Sequence, residues 1–208
     1  TLAAIPPRAH TRRTSPPTRA TAMKPMRTLP LLLAMTLALG ACASTGSTSM
    51  LSPDAPRALP ATSPVSVAWE DPAQFSEVRH SGNRYAASQG NWLNNLATYM
   101  RKEAEETLPS GHRLDLTIVD IQRAGRYEPW FGSSTQDARI IRDIYPPRMT
   151  LRFREVDASG AVVAEGERKL SDTAFLMNST RMSDTDPLRY EKRMFNDWLR
   201  SNWRVATR

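Results

Sequence analysis

Cys42 is the one cysteine in this chain of 208 residues, and its thiol is the side chain best suited to covalent chemistry. A single cysteine can form neither an intramolecular disulfide nor a cysteine-based zinc cluster. It directly follows Leu39, Gly40 and Ala41, at the end of the apolar run 29–39. A thiol in this position can carry a lipid through a thioether bond, so the first chemistry that the sequence indicates is acylation.

The four residues ending at Cys42 resemble the bacterial lipobox, in which a Leu, two small residues and a Cys mark the cleavage site of prolipoprotein signal peptidase. The resemblance implies that a diacylglycerol is attached to the sulfur before cleavage. The small residues Gly40 and Ala41 would let the extended chain enter the peptidase. The alternative is an ordinary signal peptide, cut near Ala41 or Ala43, with an unrelated cysteine. We favour lipidation because the only cysteine in the chain, Cys42, is at the position that the lipobox requires.

Residues 23–41 have the order of a secretory signal peptide. Met23 is followed by the basic Lys24 and Arg27, then by an apolar run of eleven residues and the small residues before Cys42. That run is too short for the roughly 20 residues of a helix that spans a bilayer. We expect residues 1–22 to come from an upstream start assigned in error. The alternative is a disordered basic arm, which would place the signal sequence inside the chain.

The residue after Cys42 bears on the membrane that the lipid would enter. A mature bacterial lipoprotein carries three acyl chains, and each buried CH₂ contributes about 0.8 kcal/mol, so the anchor would be effectively permanent. In enteric-type sorting an Asp after the Cys retains the protein at the inner membrane, whereas this chain has Ala43. The resemblance therefore implies an outer-membrane lipoprotein whose domain faces the periplasm.

The charge of the chain is uneven. With 28 Lys and Arg against 21 Asp and Glu, the net charge is +7, for which nucleic acid is the default partner. Residues 1–41 hold six of the basic residues and no acidic one, so the chain from Cys42 keeps 22 basic and 21 acidic residues, a net charge of +1. Without the export signal the electrostatic case for nucleic acid disappears, and we expect no nucleic-acid partner.

The most unusual local sequence surrounds Pro146 and Pro147, which cannot lie in the middle of a sheet and predict a kink or an edge. Arginine, aromatic and acidic residues near this kink could form a patch for an anionic or carbohydrate ligand. The residues of this predicted patch are Arg126, Trp130, Arg139, Asp143, Tyr145 and Arg148, with Glu128 nearby. The alternative, which we favour, is a rigid turn held by salt bridges.

The remaining titratable residues give no recognisable catalytic or metal motif. His80 and His112 are 32 residues apart, and neither belongs to a metal-binding motif, so we expect no metal and no cofactor. Asp120, Asp143 and Asp172 are available as acids, although the sequence does not pair them in one cleft. A small periplasmic hydrolase that uses Asp or Glu with His112 is therefore the alternative to a protein without enzymatic activity.

Hydrophobic periodicity predicts the elements that position these side chains. Residues 42–64 are rich in Ser, Thr and Pro and predict a flexible tether, followed by one domain over 65–208. The predicted strands are 65–69, 114–121, 149–154 and 161–170, with a further strand at 140–144. The predicted helices are 84–108 and 187–203, the second with Asp186 as its N-cap. This order predicts an α+β fold: a mostly antiparallel sheet of four to five strands with two helices packed on one face.

Several segments of this domain resemble a family catalogued as domain of unknown function 3016, which comprises envelope proteins of Gram-negative bacteria. The segments that carry the resemblance are 65–75, 92–99, 120–126, 142–149 and 189–198. The resemblance covers about residues 64–204 and implies a secreted single domain without a known activity. We therefore expect a lipid-anchored module that binds an envelope protein or a cell-wall glycan; the sequence does not indicate an oligomeric state.

Overall fold

A computed structural model describes residues 49–131, 136–177 and 185–202. Its elements are β1 (Val65–Trp69), α1 (Ser76–Arg79), α2 (Arg84–Ser88), α3 (Trp92–Thr107), β2 (Arg113–Gln122), β3 (Arg126–Tyr127), β4 (Arg139–Ile140), β5 (Arg148–Val156), β6 (Val162–Ser171) and α4 (Arg189–Asn202). This confirms the α+β class. The predicted signal peptide, with Leu39, Gly40, Ala41 and Cys42, lies outside the described residues.

The main sheet is mixed and has the strand order β1-β2-β5-β6. β1 and β2 are parallel, whereas β2 pairs with β5 and β5 pairs with β6 in antiparallel orientation. β6 lies at the edge of this sheet, as the charges along its sequence predict. β3 and β4 form a separate antiparallel pair outside the main sheet.

Residues 57–59 lie along β1, although they belong to the segment for which the sequence predicts a tether. The backbone N–H of Leu59 donates to Val67 O at 2.9 Å, and the N–H of Trp69 donates to Arg57 O at 2.8 Å. The side chain of Leu59 is buried in the main core. These contacts place the last part of the segment against the folded domain.

One face of the sheet forms the core. In β2 the side chains of Leu114, Leu116 and Ile118 are buried, while Asp115 and Thr117 alternate with them on the other face, as the period of a strand requires. The helices contribute to the same buried cluster Leu93, Leu96, Ala97, Met100, Ala104, Met194, Phe195, Trp198 and Leu199. The two long helices and the sheet therefore share one apolar core.

The continuous helix predicted over 84–108 is wrong, because the chain breaks after Ser88. Gly90 has a φ of +75°, a left-handed conformation that glycine adopts more readily than any other residue. Asn83 caps α2 by accepting from the N–H of Ala86 at 3.0 Å. The indole N–H of Trp92, the first residue of α3, then donates to Ala87 O at 3.0 Å. The apolar periodicity runs through this break and therefore conceals it.

The strand predicted over 140–144 is shorter than expected, because β4 ends at Ile140 and a turn follows. Gly125 stands between β2 and β3 with a φ of +79°, and its N–H donates to Tyr145 O at 2.9 Å. A Cβ atom at Gly125 would lie 2.7 Å from the backbone O of Ile140. Close approach of β4 therefore requires glycine here.

Among the described residues, no helix combines the length and apolar character that crossing a bilayer requires.

We expect Gly125→Ala to destabilise the domain more than Gly160→Ala does. Both residues have positive φ, which costs an alanine about 1–2 kcal/mol. A Cβ at Gly160 meets no atom within 4 Å, whereas at Gly125 it meets the backbone of β4 and adds about 1–3 kcal/mol of overpacking. Free energies of unfolding in urea measure the difference, and equal losses in the two variants would contradict this account of Gly125.

Candidate functional site

The centre of the candidate site is the buried carboxylate of Glu77, on α1, which is 4% exposed. Arg123, just after β2, reaches this carboxylate with three donors. Its backbone N–H donates to Oε2 at 2.9 Å, and its Nε and Nη2 donate to Oε1 at 3.1 and 2.8 Å. The guanidinium of Arg123 also lies over the Trp92 ring, 4.3 Å from its centroid. The end of β2 is thereby fixed to α1.

Arg139, on β4, is a second cation on the same carboxylate. Its Nη2 donates to Glu77 Oε1, and its Nη1 donates to the backbone O of Ala124 at 3.1 Å and of Gly125 at 3.0 Å. Its guanidinium lies over the Tyr127 ring at 4.7 Å. We call Glu77, Arg123 and Arg139 the Glu77 clamp. Through it, one carboxylate joins α1, the end of β2 and β4.

A second buried carboxylate, Glu191, ties α4 to the same region. One of its oxygens accepts from the backbone N–H of Ala124 at 2.7 Å. The other is buried and has no hydrogen-bond partner among the described residues. Burial raises the pKa of the Glu191 carboxyl above its ordinary value, and the N–H of Ala124 opposes this effect. Ala124 is thus held from two sides, by Arg139 and by Glu191.

The turn before β5 is held by a third buried carboxylate, Glu128. The hydroxyl of Tyr145 donates to Glu128 Oε1 at 2.6 Å, and Nη2 of Arg142 lies 3.2 Å from Oε2. The hydrogen bond to the carboxylate raises the pKa of the Tyr145 hydroxyl, because it favours the protonated phenol. The Tyr145 ring therefore has a fixed position beside the β3–β4 pair.

These contacts enclose a cleft of about 100 Å³. We call it the Arg126 cleft; its lining includes Ser76, Glu77, His80, Gly125, Arg126, Tyr127, Arg139 and Tyr145. Nη2 of Arg126 donates to His80 O at 3.4 Å, while its Nε is buried with no hydrogen-bond partner among the described residues. The guanidinium lies 5.8 Å from the centroid of the Trp130 ring, and Trp130 is 61% exposed.

A wider groove of about 390 Å³ adjoins the Arg126 cleft and shares Ser76, His80 and Gln122 with it. Arg148 and Lys169 also line this groove. Its carboxylate, Asp120, accepts from the N–H of Ser76 at 2.6 Å and from the hydroxyl of Ser76 at 2.7 Å. The cleft and the groove thus share His80, and basic side chains line both of them: Arg126 and Arg139 the cleft, Arg148 and Lys169 the groove.

The structure places the six residues of the predicted patch in different surroundings. Arg126, Arg139 and Tyr145 line one cleft, and Trp130 lies beside Arg126. Arg148 lines the adjoining groove. Asp143 is exposed, and its carboxylate accepts from the N–H of Ile144 at 2.9 Å within its own loop.

Sequence analysis missed the acidic half of the site. Glu77 and Glu191 are on helices, where their types indicate solvated positions, yet both are buried. The sequence shows His80, which lines both the cleft and the groove, only as an isolated histidine. The one signal near Glu77 is its place between Phe75 and Val78, two core residues that put it in a buried turn.

The residues of the hydrolase alternative lie elsewhere. His112 Nδ1 and Glu155 Oε1 are 2.7 Å apart, at the end of the β2–β5 ladder where Leu114 faces Glu155. The groove of Arg148 is at the opposite end of this ladder, where Arg148 faces Gln122. In the part of the chain that the structure describes, no group of three His, Cys, Asp or Glu side chains could hold a metal ion.

Comparison with known proteins assigns this domain to a family. A family model described as "Protein of unknown function (DUF3016)" matches residues 63–201. This match covers more than half of the chain, and the chain therefore belongs to that family, as the segments around β1, β5 and α4 indicate. A search of curated proteins and a search of solved structures found no match.

We expect Glu77→Gln to lower the free energy of unfolding by about 3–5 kcal/mol, because the variant leaves two mostly buried guanidinium groups without their carboxylate. Glu167→Gln is the matched control, since Glu167 is half-exposed and pairs with Arg152 at 3.7 Å, so it should cost less than about 1 kcal/mol. Denaturant unfolding measures both. Equal small losses would show that the clamp does not hold the domain together.

Proposed function

We propose that this chain is a lipid-anchored binding module of the Gram-negative envelope, which faces the periplasm and takes an acidic cell-wall glycan into the Arg126 cleft and its adjoining groove. The family match supports no more than membership of a family of unknown function. The case for a binding module therefore rests on the chemistry of the cleft, and the case for the anchor rests on the lipobox resemblance at Cys42.

The observation that carries the proposal is the state of Arg126. Arg123 and Arg139 share the carboxylate of Glu77, whereas Arg126 makes no salt bridge with any described residue. Its Nε is buried without a hydrogen-bond partner in the described part of the chain, which is a costly state for a charged group. A ligand carboxylate in the cleft would supply both the partner and the counter-charge.

The shape of the site favours a sugar that carries an acidic group. A volume of about 100 Å³ accommodates a carboxylate and its carbon, but the adjoining groove of about 390 Å³ accommodates a sugar ring. The exposed face of Trp130 offers an apolar platform at the rim, beside Arg126. Arg148 and Lys169 in the groove add charge for further acidic substituents.

The second candidate is a small periplasmic hydrolase, which the 2.7 Å contact between His112 and Glu155 favours. We rank it below glycan binding because the unpartnered Nε of Arg126 lies in the cleft, at the other end of the sheet. Release of soluble fragments during the binding experiment below would point to this second function.

We expect Cys42→Ser to abolish incorporation of labelled palmitate and to release the domain from membranes, because the thioether cannot form on a hydroxyl. Metabolic labelling followed by membrane fractionation measures both effects. A matched Ser44→Ala variant leaves the thiol intact and should label normally. Wild-type protein that takes up no label, with both variants equally membrane-bound, would contradict the anchor.

We expect Arg126→Gln to weaken binding to purified cell-wall sacculi by about tenfold or more, because a charge-assisted hydrogen bond is worth about 1.5–3 kcal/mol. Trp130→Ala should weaken it by a smaller factor, because it removes the apolar platform at the rim of the cleft. Arg152→Gln removes the same charge from the half-exposed face of the sheet, where Arg152 pairs with Glu70 and Glu167, and should bind normally. Co-sedimentation measures the bound fraction. Capture of an envelope protein without glycan, or equal binding by all variants, would overturn the glycan proposal.

A further inference from the structure

The wider groove beside the Arg126 cleft contains a carboxylate, Asp120, that a β-bulge turns toward it. The register of β2 against β5 shifts between Ile118 and Asp120, so that Val119 is an extra residue in β2. Such a bulge reverses the alternation of the strand beyond it. Ile118 and Ile121 are therefore both buried in the core, and Asp120 lies on the opposite face of the sheet.

Three hydrogen bonds fix the carboxylate of Asp120. Its Oδ1 accepts from the backbone N–H of Ser76 at 2.6 Å and from that of Ile121 at 2.9 Å, while its Oδ2 accepts from the hydroxyl of Ser76 at 2.7 Å. Asp120 forms no salt bridge within the part of the chain that the structure describes. A carboxylate has about four acceptor positions, so one position remains on Oδ2 for a ligand.

Two rows of polar side chains cross β2, β5 and β6 beside this carboxylate, and all of them line the groove. The first row consists of Asp120, Thr150 and Lys169, and the second of Gln122, Arg148 and Ser171. Three neighbouring strands span about 10 Å, which is enough for one sugar ring. The hydroxyl of Thr150 and the amide of Gln122 have no hydrogen-bond partner among the described residues and are available to that ring.

The charges of the cleft and the groove set the direction in which a glycan would lie. Arg126 in the cleft attracts an acidic group, whereas the carboxylate of Asp120 repels one and accepts a hydrogen bond from a hydroxyl. The two positions adjoin, because Ser76 and Gln122 line both the cleft and the groove. One ligand can therefore present its acid to Arg126 and the hydroxyls of its next sugar to Asp120.

We propose that the groove is a second sugar subsite, in which Asp120 selects the sugar by accepting one of its hydroxyl groups. Thr150 and Gln122 bond the neighbouring substituents of the same ring. The inference rests on the glycan function proposed above and deepens it, because the ligand becomes a disaccharide unit. One of its sugars carries the acidic group for Arg126, and the other presents hydroxyl groups to the groove.

Isothermal titration of the full chain separates the two subsites. The probes are N-acetylmuramic acid, which is one sugar with a carboxylate, and its disaccharide with N-acetylglucosamine, which adds a second ring. The wild type should bind the disaccharide about tenfold more tightly. Asp120→Asn retains one oxygen for the N–H groups of Ser76 and Ile121. It should bind the disaccharide about tenfold more weakly, because a charge-assisted hydrogen bond is lost, and the single sugar unchanged.

Asp115→Asn is the matched control. Asp115 is also on β2 and accepts from a serine hydroxyl, that of Ser66, at 2.6 Å, but it lies away from the groove. This variant should bind both probes as the wild type does. If Asp120→Asn unfolds, Thr150→Ala takes its place and should weaken binding of the disaccharide alone, by about threefold.

The outcomes distinguish the subsite from the function on which it rests. Wild-type affinity for the disaccharide in Asp120→Asn, or in Thr150→Ala where that variant is needed, would overturn the subsite and leave the glycan function standing. Equal weakening in Asp115→Asn would reduce the effect to net charge and also overturn the subsite. A wild-type chain that binds neither probe would overturn the glycan function and the subsite together.

Discussion

The carboxylate of Glu77 is the interaction on which the rest of the candidate site depends. A buried carboxylate requires cationic partners and hydrogen bonds. This one binds Arg123 at the end of β2 and Arg139 on β4, and it thereby joins both residues to α1. Arg139 then holds the backbone of Ala124 and Gly125, and the N–H of Gly125 holds Tyr145. The walls of the Arg126 cleft follow from this chain of contacts.

Arginine has two distinct roles in this domain. The roles differ in whether a carboxylate lies close enough to neutralise the guanidinium group. Arg123 and Arg139 are compensated by Glu77 and act as structural cross-links. Arg126 makes no salt bridge with any described residue, and its Nε has no hydrogen-bond partner among them. The nearly neutral charge of the chain from Cys42 thus conceals a guanidinium group without a counter-charge in the cleft. The glycan is proposed on this local imbalance and not on the total charge.

The sequence predicts the regular parts of the fold well, because alternation marks the strands and the charges on β6 mark a sheet edge. It predicts a helix through Gly90 because apolar spacing persists across the break. It groups Arg126, Arg139 and Tyr145 as neighbours of the Pro146 kink, and these three residues line one cleft. It misses Glu77, whose partners Arg123 and Arg139 are 46 and 62 residues away. The burial of a carboxylate depends on such distant partners, and no local pattern reports it.

The most direct test of the central claim is a ¹⁵N NMR titration of the domain with a soluble acidic cell-wall glycan fragment. The account predicts that the Trp130 indole N–H and the amides of Gly125, Arg126 and Tyr145 shift with one saturation curve, while the amides of residues 162–165, at the end of β6 far from the groove, stay unchanged. The cleft is then a binding site built on the Glu77 clamp. Shifts that avoid the cleft, or no shifts at all at saturating glycan, would contradict the account.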